Sequence, residues 1–296
     1  MDKKLRIGTR SSRLAVIQAE ELASYIRKQC PGICPEIVTI ETTGDRRLDV
    51  LLDKIGGKGL FVKEIDKALL SGEIDLAVHS LKDMPVEESG EIPIVSFSQR
   101  EDARDVLILR EGKKEWSGSG IIGCSSFRRR IQAEKLFPKA EFRPIRGNVV
   151  TRLEKLDRGE YDALILAAAG LRRLGLESRI SRYFSPEEML PAAGQGVLAI
   201  QGREKTDHSF LKGFGAFEAA MTAKAERAFV RYLDGGCSSP VAAYAEVTGD
   251  TLRLRGLYYR EKDYFFTVGS KSGLVDEAEQ IGVSLAQELK NRYDVC

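Results

Sequence analysis

Apolar residues change their period along this chain, and each change marks an element. Residues 5–9 read as a strand, after which Leu14, Ile17, Leu22, Tyr25 and Ile26 fall at helical spacing. That spacing predicts a helix over residues 12–28 with Ser11 or Ser12 as N-cap, since a serine hydroxyl there accepts from an otherwise unpaired N–H of the first turn. A second strand at 36–41 leads into the polar, glycine-rich stretch TTGDRRLDVLLDKIGGKG. A helix with Phe61, Ile65 and Leu69 on one face and a strand at 75–78 follow. The alternation restarts beyond Arg104: strands at 106–109 and 121–124, a helix from Ser126, a strand at 141–145, a helix from Asn148 and a strand at 163–166. Strands alternating with helices make sheets with parallel strands, so two such blocks predict two α/β lobes.

The tail has a different character. A helix over 217–232 is expected to stop at Asp234-Gly235-Gly236, as helices stop at glycine. Strands follow at 241–247, 251–259 and 264–269, the first two joined by the hairpin signal Gly249-Asp250. A last helix carries Ala278, Ile281, Leu285 and Leu289. This predicts a small α+β third domain entered through the loop LDGGCSSPV, which holds Cys237.

Composition narrows the function. With 43% hydrophobic and 30% charged residues over 296 positions, and no apolar run near the roughly 20 residues that cross a bilayer, no membrane association is expected. MDKKLRIGTR has no apolar signal core, so a cytoplasmic location is expected. Cys30, Cys34, Cys124, Cys237 and Cys296 are odd in number and too scattered for a disulfide framework. With only His79 and His208 beside them, no metal site is expected. GGKG lacks the spacing of a phosphate-binding Walker loop. The net charge of +2 conceals a run of arginines from Arg128 to Arg182, where an anion would bind, although Arg158, Arg179 and Arg182 read as solvated helix-face residues.

In α/β lobes, sites form where a strand's carboxyl end meets the next helix N-terminus. Three such junctions carry chemistry: Ser125-Ser126-Phe127-Arg128-Arg129, Arg146-Gly147-Asn148, and Asp83 after a short strand. Local sequence leaves Asp83 open between catalysis, helix capping and pairing with Lys82. It leaves Cys237 open between packing, metal ligation and covalent attachment.

In chain order, GGKGLFVKEI, VHSLKDMP, GCSSFRRR, RGNVVTRLEKLDRGEYDALILAAAGLRRLGL, PAAGQG and ERAFVRYLDGGCSSPVA resemble the porphobilinogen deaminase (hydroxymethylbilane synthase) family, over most of the chain and thinning after about residue 245. The resemblance implies two periplasmic-binding-protein-like lobes with mixed sheets plus a small α+β C-terminal domain. Their bounds would be 1–99 with 196–216, then 104–191, then 217–296. It implies a monomer that joins four porphobilinogens head to tail with loss of ammonia, on a dipyrromethane cofactor attached to Cys237 through a thioether, and then releases the tetrapyrrole with water. Each pyrrole brings an acetate and a propionate, so the family position makes Arg10, Arg128, Arg129, Arg146, Arg152 and Arg173 carboxylate clamps, work that suits a planar guanidinium fork. Ser12, Lys82, Ser125, Ser126 and Gln195 are implied as polar cofactor contacts and Asp83 as the catalytic carboxylate. His79 reads as structural. Residues 43–58 are implied as a lid with Gly56, Gly57 and Gly59 as pivots and Lys58 and Phe61 at its edge.

Three positions depart from the family pattern. Cys124 stands where threonine is usual, raising the expectation of a second reactive sulfur. Ser239 replaces a β-branched residue, and GFGAFEAA at 213–220 keeps Glu218 but lacks the usual Asn-His and Thr. Two rival readings are a carboxylate or phosphate receptor, which would have no use for Cys237 or a third domain, and a nucleic-acid binder, which the near-neutral charge and sparse aromatics disfavour.

Overall fold

A computed structural model describes residues 3–46, 62–87, 89–235, 240–260 and 265–294. The chain divides into two compact units, one of residues 1–101 and 197–220, the other of 102–196 and 221–296.

The first unit is built on five strands: β1 (Lys3–Arg10), β2 (Ile33–Ile40), β3 (Leu76–Ser80), β4 (Ile94–Phe97) and a returning strand, β10 (Leu198–Gly202), in the order β2-β1-β3-β10-β4. β1 runs parallel to β2 and β3, whereas β10 is antiparallel to β3 and β4. Side chains alternate across the sheet, and each face buries its own helix. On one face α1 (Arg13–Gln29) sets Ala19, Leu22 and Ile26 against Ile7, Val78 and Ile200. On the other, α3 (Lys63–Ser71) sets Ile65 and Leu69 against Ile74, Ala77 and Ile92. A short turn of helix, α2 (Thr43–Arg46), precedes α3.

The second unit repeats the arrangement with β5 (Asp105–Leu109), β6 (Ser119–Gly123), β7 (Lys139–Arg143), β8 (Ala163–Ala167) and β9 (Arg182–Tyr183), ordered β7-β6-β8-β5-β9. β6 is parallel to β7 and β8, and β5 is antiparallel to β8 and β9. α4 (Phe127–Leu136) covers one face through Ala133, while α5 (Val149–Asp157) and α6 (Ala168–Arg173) cover the other through Leu153, Leu156 and Leu171. The same unit holds all but the first four residues of α7 (Phe217–Tyr232), an antiparallel sheet of β11 (Ala242–Thr248), β12 (Thr251–Arg260) and β13 (Phe265–Leu274), and α8 (Ala278–Asp294). This sheet packs Ala242, Leu257 and Tyr259 against Ile131 of α4 and Leu190.

Two mixed α/β sheets and one small antiparallel sheet are the fold class expected from sequence. Details differ. β4, β9 and β10 were not anticipated, and β7 ends at Arg143, immediately before Pro144. The end of α7 is not made by a glycine: Asp234 takes the left-handed conformation (φ 51°), and the Gly235 N–H bonds back to the Val230 carbonyl at 2.9 Å. At 213–220, Phe214 meets Tyr25 edge to face, 5.4 Å between ring centroids, and the Ala216 N–H bonds the Phe97 carbonyl.

α7 and α8 approach closely because Gly282 has no side chain. A Cβ there would lie 2.3 Å from the Ala225 carbonyl oxygen and 2.8 Å from the Ala228 Cβ. Gly282→Ala gains about 1 kcal/mol of helix propensity but forces two backbones apart, at a cost of about 1–3 kcal/mol. A net loss of stability is expected in urea unfolding; a more stable variant would show that the helices separate freely.

Candidate active site

In the first unit the site grows from the end of β1 and the end of β3. Arg10 closes β1, and Ser12 caps α1, its hydroxyl accepting from the Ala15 N–H at 3.3 Å. Thr9, buried between them, donates to the Ala15 carbonyl and so ties the strand to the helix start. Beyond β3 the backbone makes one tight turn, Leu81–Asp83, held by the Leu81 N–H on the Val197 carbonyl (3.0 Å) and the Met84 N–H on the Leu81 carbonyl (3.1 Å). This turn presents Lys82 and Asp83. A small pocket results, lined by Arg10, Ser12, Gln18, His79, Ser80 and Asp83 among others. Gln18 donates to the Ser80 hydroxyl at 2.8 Å, fixing one wall.

Asp83 is half-buried, and among the described residues its carboxylate makes no hydrogen bond and no ion pair. It neither caps a helix nor pairs with Lys82, so both structural alternatives left open by the sequence lapse. His79 is 6% exposed, and its pKa is pushed down to about 4, chiefly by burial and secondarily by the charge of Arg10, against an opposing effect of Gln201. The ring is therefore neutral at physiological pH.

The second unit gathers cations on one buried carboxylate. Asp105 opens β5 with no exposure at all. Its Oδ2 accepts from Arg128 Nη1 at 2.7 Å, and its Oδ1 accepts from Arg129 Nε at 2.9 Å and from Gln195 Nε2, also at 2.9 Å. Burial alone would raise this carboxyl's pKa; the two guanidinium groups reverse that and hold it well below the ordinary carboxylate range. Arg128 also reaches the Leu190 carbonyl at 2.7 Å, and Gln195 the Ala103 carbonyl at 2.6 Å. Two guanidiniums share one carboxylate, so the cluster keeps a net positive charge in a dry setting.

Around it the junctions are braced. Ser126 is the N-cap residue of α4 but makes no side-chain capping bond. The Ser125 hydroxyl instead accepts from the Ile145 N–H at 2.8 Å, fixing the backbone just before Arg146. Asn148 caps α5 by accepting from the Thr151 N–H at 3.0 Å. Arg152 folds back onto the Gly147 carbonyl at 2.8 Å, and Arg173 donates to the Gly196 carbonyl at 3.2 Å. Cys124 is buried, its Sγ lies 3.5 Å from the Ser126 carbonyl oxygen, and burial raises its pKa. The expected second reactive sulfur is thus corrected to an inert, packed thiol.

Glu226, fully buried on α7, accepts from the Gly194 N–H and from the Ala245 N–H, each at 2.7 Å. It joins the loop that carries Gln195 to β11. Sequence reasoning missed both Asp105 and Glu226. The available signal was an acid placed inside an apolar element, at the head of VLIL and on the inner face of α7. Cys237, Ser239, Lys58, Phe61 and the glycines of the expected lid lie outside the described residues.

Residues 5–211 match the family profile described as "Porphobilinogen deaminase, dipyromethane cofactor binding domain", and residues 220–291 match that of the porphobilinogen deaminase C-terminal domain. The chain belongs to the porphobilinogen deaminase family. It is 51% identical to the porphobilinogen deaminase of Acetivibrio thermocellus, covering 98% of this chain and 99% of that protein. It is 52% identical to that of Alkaliphilus oremlandii, over 99% and 98% of the two chains. A solved TRAP periplasmic solute-binding protein from Roseobacter denitrificans, with bound β-D-glucuronate, overlays 74% of this chain and 80% of its own at a TM-score of 0.41 and 10% identity. The enzyme is a hydroxymethylbilane synthase of tetrapyrrole biosynthesis, with porphobilinogen as substrate and a dipyrromethane cofactor-binding domain. Family membership sets aside the receptor and nucleic-acid readings. The surplus positive charge at Arg128 and Arg129 fits a cofactor that bears several carboxylates.

Replacing Asp105 by asparagine leaves two buried guanidinium groups without a counter-charge. Loss of about 3 kcal/mol or more is expected in denaturant unfolding, since removing one partner of a buried ion pair costs that much; a loss below about 1 kcal/mol would show that water reaches the cluster.

Proposed function

We propose that this enzyme joins four porphobilinogens head to tail, each with loss of ammonia, on a dipyrromethane held through a thioether at Cys237, and that water releases the product as hydroxymethylbilane. Asp83 carries the reading: a carboxylate that shares a pocket with Arg10 yet has no partner among the described residues. When bound, the dipyrromethane supplies an acidic primer for the incoming rings.

The chain's own residues do the rest. Arg128 and Arg129, with Arg146, Arg152 and Arg173, bind acetate and propionate groups, and the guanidinium fork sets their orientation as well as their affinity. Gln195 keeps Asp105 turned toward Arg129. Arg10, Ser12 and Lys82 serve the carboxylates of the ring beside Asp83. Asp83 stabilises the positive charge that spreads over the substrate's pyrrole nitrogen as ammonia departs, and it moves the proton that must leave the new ring junction. A carboxylate without a partner among the described residues suits this because none of their cations has to be released first.

Intact mass tests the tether. The purified enzyme should exceed its sequence mass by one dipyrromethane, mapped to the peptide containing Cys237, and Cys237→Ser should lack both adduct and activity. Asp83→Ala should keep the adduct while kcat falls about 10²-fold or more, the range ascribed to positioned acid–base groups. Wild-type turnover in Asp83→Ala would overturn its role, and product formation by protein that never carries an adduct would overturn the tether.

A further inference from the structure

His79 has a feature that a packing role does not explain. Its Nε2 is sealed from solvent and has no hydrogen-bond partner among the described residues, although burying a ring nitrogen without one is unfavourable. His79 nevertheless lines the pocket that holds Asp83 and Arg10. His79 and Gln201 stand on the same face of the antiparallel β3–β10 pair, where His79 lies opposite Ala199 and Gln201 opposite Ala77. The Gln201 amide is held by donating to the Ile92 carbonyl at 3.0 Å, so its Oε1, itself buried and unpartnered, is the group left to act on the imidazole. An acceptor oxygen near the ring favours an N–H on it, which agrees with the upward influence of Gln201 on His79, although the two atoms are not within a formed hydrogen bond of each other. With the proton on Nε2, Nδ1 carries the lone pair and is the nitrogen left to serve the pocket.

We propose that His79 is a substrate-contacting residue, a neutral acceptor whose Nδ1 takes an N–H of the porphobilinogen aminomethyl group beside Asp83, with its tautomer set by Gln201. The inference rests on the reading of this pocket as the place where ammonia leaves. A charged histidine next to Arg10 would repel the ammonium end of the substrate, and burial keeps the ring uncharged. The division of labour follows: Asp83 meets positive charge with negative charge, and His79 orients the departing nitrogen without competing for its proton.

Because the chain has only two histidines, ring-¹⁵N NMR of the holoenzyme resolves the question, with His208→Gln assigning the second set of signals. His79 should show a protonated Nε2 and an unprotonated Nδ1, and porphobilinogen should shift the Nδ1 signal while Nε2 stays nearly fixed. The opposite tautomer, or an Nδ1 signal unmoved at saturating porphobilinogen, overturns the proposal. In kinetics, His79→Phe should lower kcat/KM roughly tenfold or more, as loss of one buried hydrogen bond implies, with the covalent adduct retained by mass. If Asp83→Ala is inactive while His79→Phe behaves as wild type, the histidine role alone fails. If Asp83→Ala turns over normally, the reading of the pocket fails with it.

Discussion

Two guanidinium groups held against one buried carboxylate are the constraint around which the second unit is arranged. Moving charges out of water costs several kcal/mol each, and the cost is met only where geometry and extra hydrogen bonds are good. Asp105 meets that demand by position, as the first residue of a strand whose other residues are apolar. Arg128 and Arg129 are neighbours on α4 and point about 100° apart, so a single acid reaches both only from beneath the helix's first turn. Gln195 arrives from the loop after Leu190 and fills a remaining acceptor site. Strand, helix and crossover loop are thereby fastened at one point. The N-terminus of α4 adds its own partial positive charge to a cluster already in excess.

The two aspartates of the enzyme show how environment divides labour between identical side chains. Asp105 is enclosed and saturated by donors, and its charge holds the fold. Asp83 sits on a tight turn after β3, and among the described residues no donor is bonded to its carboxylate. Both stand at an end of a strand in a mixed sheet, one at its start and one just past its finish. The carboxyl-end position is the one where such sheets place their chemistry.

What could be read from sequence follows the range of the forces involved. A cap at Ser11 or Ser12 and a helix start at Asn148 were legible because the groups that Ser12 and Asn148 satisfy lie three residues away. The end of α7 was legible from the Asp234-Gly235-Gly236 stretch that follows it. β10 was not, because VLAIQG is covered on both faces and shows no alternation. The pairing of Arg128 and Arg129 with Asp105 spans more than twenty positions, so the cations were visible while their partner was not. Cys124 could be flagged by type, but whether a thiol is reactive depends on packing that only the fold supplies. A left-handed aspartate in place of a glycine at the end of α7 was equally out of reach, since both residue types tolerate that conformation.

Glu226 touches two backbone amides, one from the stretch holding Gln195 and one from the strand that follows the Cys237 loop. Each of its oxygens must accept, and a neutral amide of the same shape has only one acceptor to offer. Glutamine would therefore turn one of these contacts donor-to-donor, and it would act as a wedge at the joint between the cation cluster and the third sheet. A substitution that looks conservative on paper becomes a mechanical fault, carried into β11 through the Ala245 amide.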